Sequence, residues 1–472
     1  MTTEKELAGF ISNLVIIHKE YSKENKFAVR DPIELFPVKK DLEDYILKNA
    51  GHGNNPIPSL IRWWDANKKK DPETHGRCHT LLGFIDNHYK NETPRILRGD
   101  SYDVLVGRRF WDDLKRKSSE IPKTTYNFFP RIRVLEKDQA VMHYPPEDEN
   151  PYGPKPLHEW TEFRVGLCAF SGKAHTKFKG SRIIQEPDEA IGKNGIYGFV
   201  AETIEPENEY KKELSRVVQW VKKERINLLL MPELSVCGKG RNILIEEIEN
   251  EKTDLYLIMP GSYHCRLNKK MKFYVNQAPV WWNTPLHSGQ GSIQESGEMY
   301  TKMEPFHIAA SEIKRPMPQL CKIAVAAGCL SVQEDIYLGT KFHLFLTPLG
   351  IFGILICKDV FTEDYFVKYR QLADHLCIIS MNSAPDYFSA KATECSMHGT
   401  SCFYVNASQI TNNVKTPVET AIWTIPHQKK GYNHCYYNIS IDKENDRYTN
   451  KRIPENGLVL VVGFPIKPSM RC

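Results

Sequence analysis

Ile351, Phe352, Gly353, Ile354, Leu355 and Ile356 form an unbroken apolar run, followed at once by Cys357, Lys358 and Asp359. A run this short and this apolar reads as a strand buried in a sheet, and its polar continuation marks the strand's carboxyl end. An α/β sheet commonly presents a nucleophile in this way, with the thiol delivered where the strand turns away. Cys357 is therefore the first candidate catalytic residue.

A chain of 472 residues exceeds what one hydrophobic nucleus usually organises, so two domains are expected. The net charge of +5, from 63 basic and 58 acidic residues mixed along the chain, argues against a nucleic-acid partner. The run Lys68-Lys69-Lys70 reads as a solvated helix end. The first ten residues hold no apolar signal region, and no uncharged stretch is long enough for a bilayer, so a cytoplasmic protein is expected. The 12 cysteines stand apart from one another without CxxC pairs, which points to reduced thiols, most of them core residues.

The two parts of the chain differ in pattern. Leu7, Phe10, Ile11, Leu14 and Val15 recur at helical spacing, helices are expected over 57–66 and 79–89, and a short strand over 132–141. Residues 145–156 carry five prolines and suit neither helix nor strand, making them the linker between an N-terminal, mainly helical domain (1–158) and a second domain (159–472). Beyond it, strands are expected at 164–170, 226–231, 254–259, 272–281, 341–347, 353–357, 376–381, 402–406 and 458–464. A helix at 207–224 carries Leu214, Val217, Val218 and Val221 on one face. Short strands with helices between them predict a layered α/β sandwich.

Two strand ends carry ionisable groups, Glu233 after Leu228-Leu229-Leu230-Met231-Pro232 and Cys357 after Ile354-Leu355-Ile356, and between them lies Lys302, flanked by Tyr300 and Phe306. This trio resembles the Glu-Lys-Cys triad of the nitrilase superfamily of carbon–nitrogen hydrolases. Gly261-Ser262-Tyr263, Asn276, the glycine-bearing turn Thr347-Pro348-Leu349-Gly350 and the segment from Ala373 to Asn382 fall in the same order, so the resemblance covers residues 160–472. It implies an αββα sandwich that forms a four-layer stack with a second copy, hence a homodimer or larger assembly. It further implies a thiol-dependent amidohydrolase acting on a small amide or nitrile, without cofactor or metal.

A thiol of pKa about 8.5 is mostly protonated at neutral pH and needs a base. In the chemistry that the resemblance implies, Glu233 takes the proton, Cys357 attacks the carbonyl or nitrile carbon, and water opens the thioester. Lys302 and the backbone N–H of Lys358 stabilise the oxyanion. Relatives use a second glutamate after the lysine. Glu312 is the candidate here, with Glu304 its rival.

Trp281, Tyr300 and Asn382 are candidate substrate contacts. The adjacent Trp281 and Trp282 also read as strand residues on opposite faces, one in the core and one at an interface, and this is the preferred reading. Departures from the family pattern are Lys358 in place of an aromatic residue, and insertions around 172–197 and 310–337. His75, Cys78 and His79 lie too close together to make a tetrahedral metal cage. Two alternatives to hydrolysis remain open: acyl transfer to an amine by the same residues, and a binding or assembly subunit whose N-terminal domain docks a protein partner.

Overall fold

A computed structural model describes residues 3–24, 57–67, 74–110, 131–145, 162–169, 176–187, 194–203, 420–426, 432–438 and 459–465, with single positions at 40, 42, 44, 45 and 129. It also describes 208–406 apart from 237, 252, 267–273, 286–290, 313, 315–317 and 383–385. The fold is mixed α/β, with several sheets and the helices between them. Among the described residues no helix is long and apolar enough to cross a membrane.

The chain divides into two compact units, one comprising Met1–Ala140 with Leu346–Ile351 and the other Val141–Phe345 with Phe352–Cys472. The strand Ala140–His143 lies at this boundary, at one edge of a seven-stranded sheet. Most of the expected linker, from residue 146 on, lies outside the described residues, as does Lys68-Lys69-Lys70.

The first unit carries helices Glu4–Glu24, Ile57–Asn67 and Thr74–His88. Leu14, Val15, Leu60, Trp63, Leu81 and Ile85 share one core, as helical spacing of apolar residues requires. Beside these helices, Arg95–Leu97, Tyr102–Val106 and Ile132–Glu136 form an antiparallel sheet against that core. The first two of these strands contribute Leu97, Val104 and Val106, runs too brief to show a period in the sequence. The expected strand over 132–141 splits at Asp138, whose φ of 66° makes a turn between Ile132–Glu136 and Ala140–His143.

The second unit is built on two large sheets. One has the order Gly291–Glu295, Trp281–Pro285, Leu257–Met259, Leu228–Leu230, Glu162–Cys168, Val459–Pro465, with its three central strands parallel. The other runs Tyr432–Asn438, Thr420–Pro426, Ser401–Asn406, His375–Ser380, Gly350–Ile356, Phe342–Thr347, Ala140–His143. Rings from both sheets meet, Phe163 against Phe352 and Trp282 against Phe345. The helix Asn208–Lys223 covers the first sheet with Leu214, Val218 and Val221, the apolar stripe legible in the sequence. The single strand expected over 272–281 is two, Val275–Ala278 and Trp281–Pro285, in different sheets. Pro279 lies at the break and has no N–H to continue a ladder.

A four-stranded sheet joins the two stretches read as insertions. Cys329–Glu334 pairs in parallel with Gly195–Thr203 and antiparallel with His307–Ala309, while Thr176–Gln185 pairs with Gly195–Thr203. The helix Pro318–Ala326 packs on it through Leu320, Cys321 and Ala324.

Close approach of helix to strand sets the position of the cysteine strand. A Cβ at Gly353 would stand 2.5 Å from Cδ1 of the buried Tyr369 in the helix Glu363–Leu372. Gly353→Ala is expected to destabilise the protein by about 1–3 kcal/mol in equilibrium denaturation. A variant as stable as the parent contradicts this packing.

Candidate active site

Glu233, Lys302 and Cys357 are brought into one pocket, together with Glu334, which sequence reasoning did not single out. Each comes from where a strand ends. The parallel strand Leu228–Leu230 runs into Pro232 and Glu233, and a backbone bridge between Glu233 and Ser262, with Leu234 N–H donating to Ser262 O at 2.9 Å, holds the turn. Gly261, at φ +87°, passes so close to the Pro232 carbonyl that a Cβ there would overlap it. The cysteine strand Gly350–Ile356 ends in a 3₁₀ turn, Cys357–Phe361, in which Cys357 has φ of 48°. Leu234, just after Glu233, has φ of 55°, so two of the four described non-glycine residues in the left-handed region flank this site. Such conformations cost on the order of 1–3 kcal/mol and concentrate where function holds them.

Lys302 lies at the centre and is 0% exposed. Its Nζ donates to Glu233 Oε1 at 2.8 Å and to Glu334 Oε2 at 2.6 Å. Burial alone would depress the ammonium, but the two carboxylates outweigh it and hold Lys302 well above the usual lysine range. Asn276 Nδ2 donates to Glu233 Oε1 at 2.9 Å and Glu334 Oε1 at 3.3 Å, and its own buried Oδ1 has no partner among the described residues.

The two glutamates differ in what they have left to offer. Glu334 accepts from Lys302, from Asn276, from the Phe306 N–H at 2.6 Å and from His264 Nε2 at 3.0 Å. His264 Nδ1 accepts from the Ala201 N–H at 2.8 Å, which assigns the ring proton to Nε2. Burial opposes ionisation of Glu334, yet Lys302 and His264 hold it far below the usual range, at about 2. Among the described residues Glu233 Oε2 accepts only the Met381 N–H, at 3.1 Å, and so keeps a lone pair at the pocket that it lines.

The thiol is 1% exposed. Burial pushes Cys357 up to about 12, and Glu233 adds to the shift against the opposing effects of Lys302 and Ser380. Ser380 Oγ donates to the sulfur at 3.3 Å, and Asn382 Nδ2 lies 4.0 Å away. Phe178, Phe199, Leu234, Phe306 and Met381 complete an apolar wall around the four polar groups.

Asp359 ties the nucleophile's turn to the lysine segment. It is fully buried and accepts from Tyr300 Oη at 2.7 Å, Met303 N–H at 3.0 Å, Glu304 N–H at 2.8 Å and Ile356 N–H at 3.3 Å. Burial pushes its carboxyl up to about 7, against Lys302 and these donors.

Three expectations need correction. Glu312 is exposed, in the turn after His307–Ala309, and the lysine's second carboxylate is Glu334, 32 residues beyond Lys302. Glu304, the rival, contributes its backbone N–H to Asp359. Trp281 does not line this pocket: it is buried against Leu244 and Ile248, and Trp282 faces Tyr256 and Phe345. Tyr300 also lies off the pocket, its hydroxyl committed to Asp359. In the first unit Cys78 is buried in the core and His79 Nδ1 faces His18 Nε2 at 3.2 Å, while the side chain of His75 is outside the described residues. Among the described residues no group of three or more His, Cys, Asp or Glu side chains could hold a metal ion.

No family model and no curated protein matches the chain. Among solved structures it is similar to a glutamine-dependent NAD+ synthetase from Acinetobacter baumannii, with TM-score 0.35 and 13% identity over 59% of this chain and 44% of that one. It thus spans less than half of the synthetase. It is also similar to an amidase of the nitrilase superfamily from Nesterenkonia, with TM-score 0.35, 11% identity, 66% of this chain and 93% of that one. A CN-hydrolase superfamily protein from Xanthomonas campestris, with an arsenic adduct in its active site, gives TM-score 0.33, 11% identity, 66% and 93%.

The Glu334 carboxyl sits below its ordinary value of 4.5 in the folded state, so its contribution to stability is fully present above about pH 4.5 and fades as pH falls toward about 2. Glu334→Gln lacks that contribution. The difference in Tm between parent and variant is expected to be widest near pH 7 and to narrow by about pH 3. A difference independent of pH contradicts the assignment.

Proposed function

We propose that the protein is a thiol-dependent carbon–nitrogen hydrolase that cleaves a small amide or nitrile through a Cys357 thioester. The observation that carries this reading is the meeting of Cys357, Glu233 and the Lys302 ammonium in one largely apolar pocket.

The arrangement supports a division of roles. Glu334, held ionised by four donors, fixes Lys302, while Glu233 retains a lone pair to receive the Cys357 proton as sulfur bonds to the substrate carbon. A thiol with its pKa raised to about 12 favours this coupled transfer over a preformed thiolate. Lys302 has three N–H donors and gives two to carboxylates, which leaves one for the oxyanion, and the Lys358 backbone N–H, next after the nucleophile, is the second donor in this reading. Each such donor lowers the barrier by on the order of 3 kcal/mol. With an amide the protonated Glu233 then delivers its proton to the departing nitrogen; with a nitrile that proton goes to the nitrogen of the thioimidate, which takes up one water and releases ammonia to reach the same thioester. Water, deprotonated by Glu233, adds to the thioester, and collapse returns the proton to sulfur with release of the acid.

Asn382, close to the sulfur, fits a substrate contact in this scheme. The αββα layering, the pairing of copies and the cytoplasmic location expected from the sequence belong to the same proposal.

Ammonia release from a panel of short aliphatic and aromatic amides is expected from the parent. Cys357→Ala is expected to abolish it, and Glu233→Gln to slow it by about 10²–10⁴-fold. Parent activity retained in either folded variant would sink the reading.

A further inference from the structure

We infer that His264 is a positioning residue of this hydrolase, tying the Glu334 carboxylate to the four-stranded sheet and so holding it in line with Lys302, an inference that rests on the hydrolase reading and deepens it. His264 sits in the strand Tyr263–Cys265, directly opposite Asn276 of the antiparallel strand Val275–Ala278, and its side chain is buried. Side chains opposite each other share a face of a sheet, and both of these donate to Glu334. His264 does not line the pocket, so any effect on the chemistry passes through the carboxylate.

The imidazole bridges the place where a strand pairing stops. The parallel pairing of Cys329–Glu334 with Gly195–Thr203 ends with Glu334 opposite Phe199, and the Asp335 N–H closes it by donating to Phe199 O at 2.8 Å. Backbone groups two residues apart on a strand point to the same edge, so the Ala201 N–H faces the side that the ended strand no longer covers. It donates to His264 Nδ1 at 2.8 Å, and on the far side of the ring Nε2–H donates to Glu334 Oε1 at 3.0 Å. One N–H of the sheet thereby selects the tautomer that faces the carboxylate, and a ring that accepts at Nδ1 carries no charge to compete with Lys302. With Oε1 held by His264 and Asn276, Oε2 is left for Lys302 Nζ at 2.6 Å. The proton that Lys302 keeps for the oxyanion is aimed only as well as its ammonium is held, and a small misplacement there is costly in rate. A histidine present only to satisfy the Ala201 N–H could be replaced by any acceptor of the right reach.

The test measures kcat and KM for ammonia release by the full chain, on the amide of the panel that the parent hydrolyses fastest. His264→Asn keeps an acceptor near the Nδ1 position but is too short to reach Glu334. His264→Gln carries an N–H close to the Nε2 position, and His264→Met matches it in length with no donor. His264→Asn and His264→Met are each expected to lower kcat by about 10–100-fold with KM within about threefold of the parent's, and His264→Gln to keep kcat within about threefold. Whichever of His264→Asn and His264→Met folds is compared with His264→Gln. Parent kcat in His264→Asn or His264→Met, a loss carried by KM alone, or His264→Gln as slow as the donorless variant overturns the inference and leaves the hydrolase reading standing. A parent that releases no ammonia from any amide of the panel contradicts the hydrolase reading, and this inference falls with it.

Discussion

One buried ammonium shared by two carboxylates organises the site. Lys302, Glu233 and Glu334 are each nearly inaccessible to water, and removing such groups from solvent costs several kcal/mol per ion. The cost is tolerable only because the geometry is short and, apart from the lone pair that Glu233 keeps, the carboxylates are met by Asn276, His264 and two backbone N–H groups, those of Phe306 and Met381. Loss of the lysine would leave two carboxylates facing each other without a counter-charge, a change that typically costs about 3–5 kcal/mol.

The fold supplies the two glutamates and the thiol from three different sheets. The Leu228–Leu230 strand brings Glu233, the Gly350–Ile356 strand brings Cys357, and the Cys329–Glu334 strand brings Glu334. Asp359 adds a second link, because its carboxyl gathers N–H groups from both the lysine segment and the cysteine strand. Positive φ at Cys357 and Leu234 turns the chain sharply at the two places where a side chain must leave a strand end for the pocket.

Much of this was legible in the sequence because the signals are local. An apolar run that stops at Glu233 or Cys357 is visible within a few residues, and so is the stripe of Leu214, Val218 and Val221. Glu334 was not legible, since the helix Pro318–Ala326 separates it from Lys302 and no short-range rule spans such a distance. A signal did exist: Val332 and Glu334 share one face of their strand, and both are buried, which places the glutamate on the side of the core. Trp281 and Tyr300 misled for a related reason. Their type suits a binding wall, but the face each presents depends on the break at Pro279 and on the partner Asp359, neither of which periodicity reveals. The three-stranded sheet of the first unit escaped notice because strands as short as Arg95–Leu97 carry no alternation to read.

The central claim is that the Cys357 sulfur, giving its proton to Glu233 as it attacks, is the nucleophile. The most direct measurement is peptide mass spectrometry of protein quenched in acid during turnover of an amide substrate. The account predicts an acyl group on the peptide containing Cys357, present in the parent and lost in Cys357→Ala. A quenched parent that turns over substrate with Cys357 unmodified, or with the acyl group on another thiol such as Cys265, would contradict it.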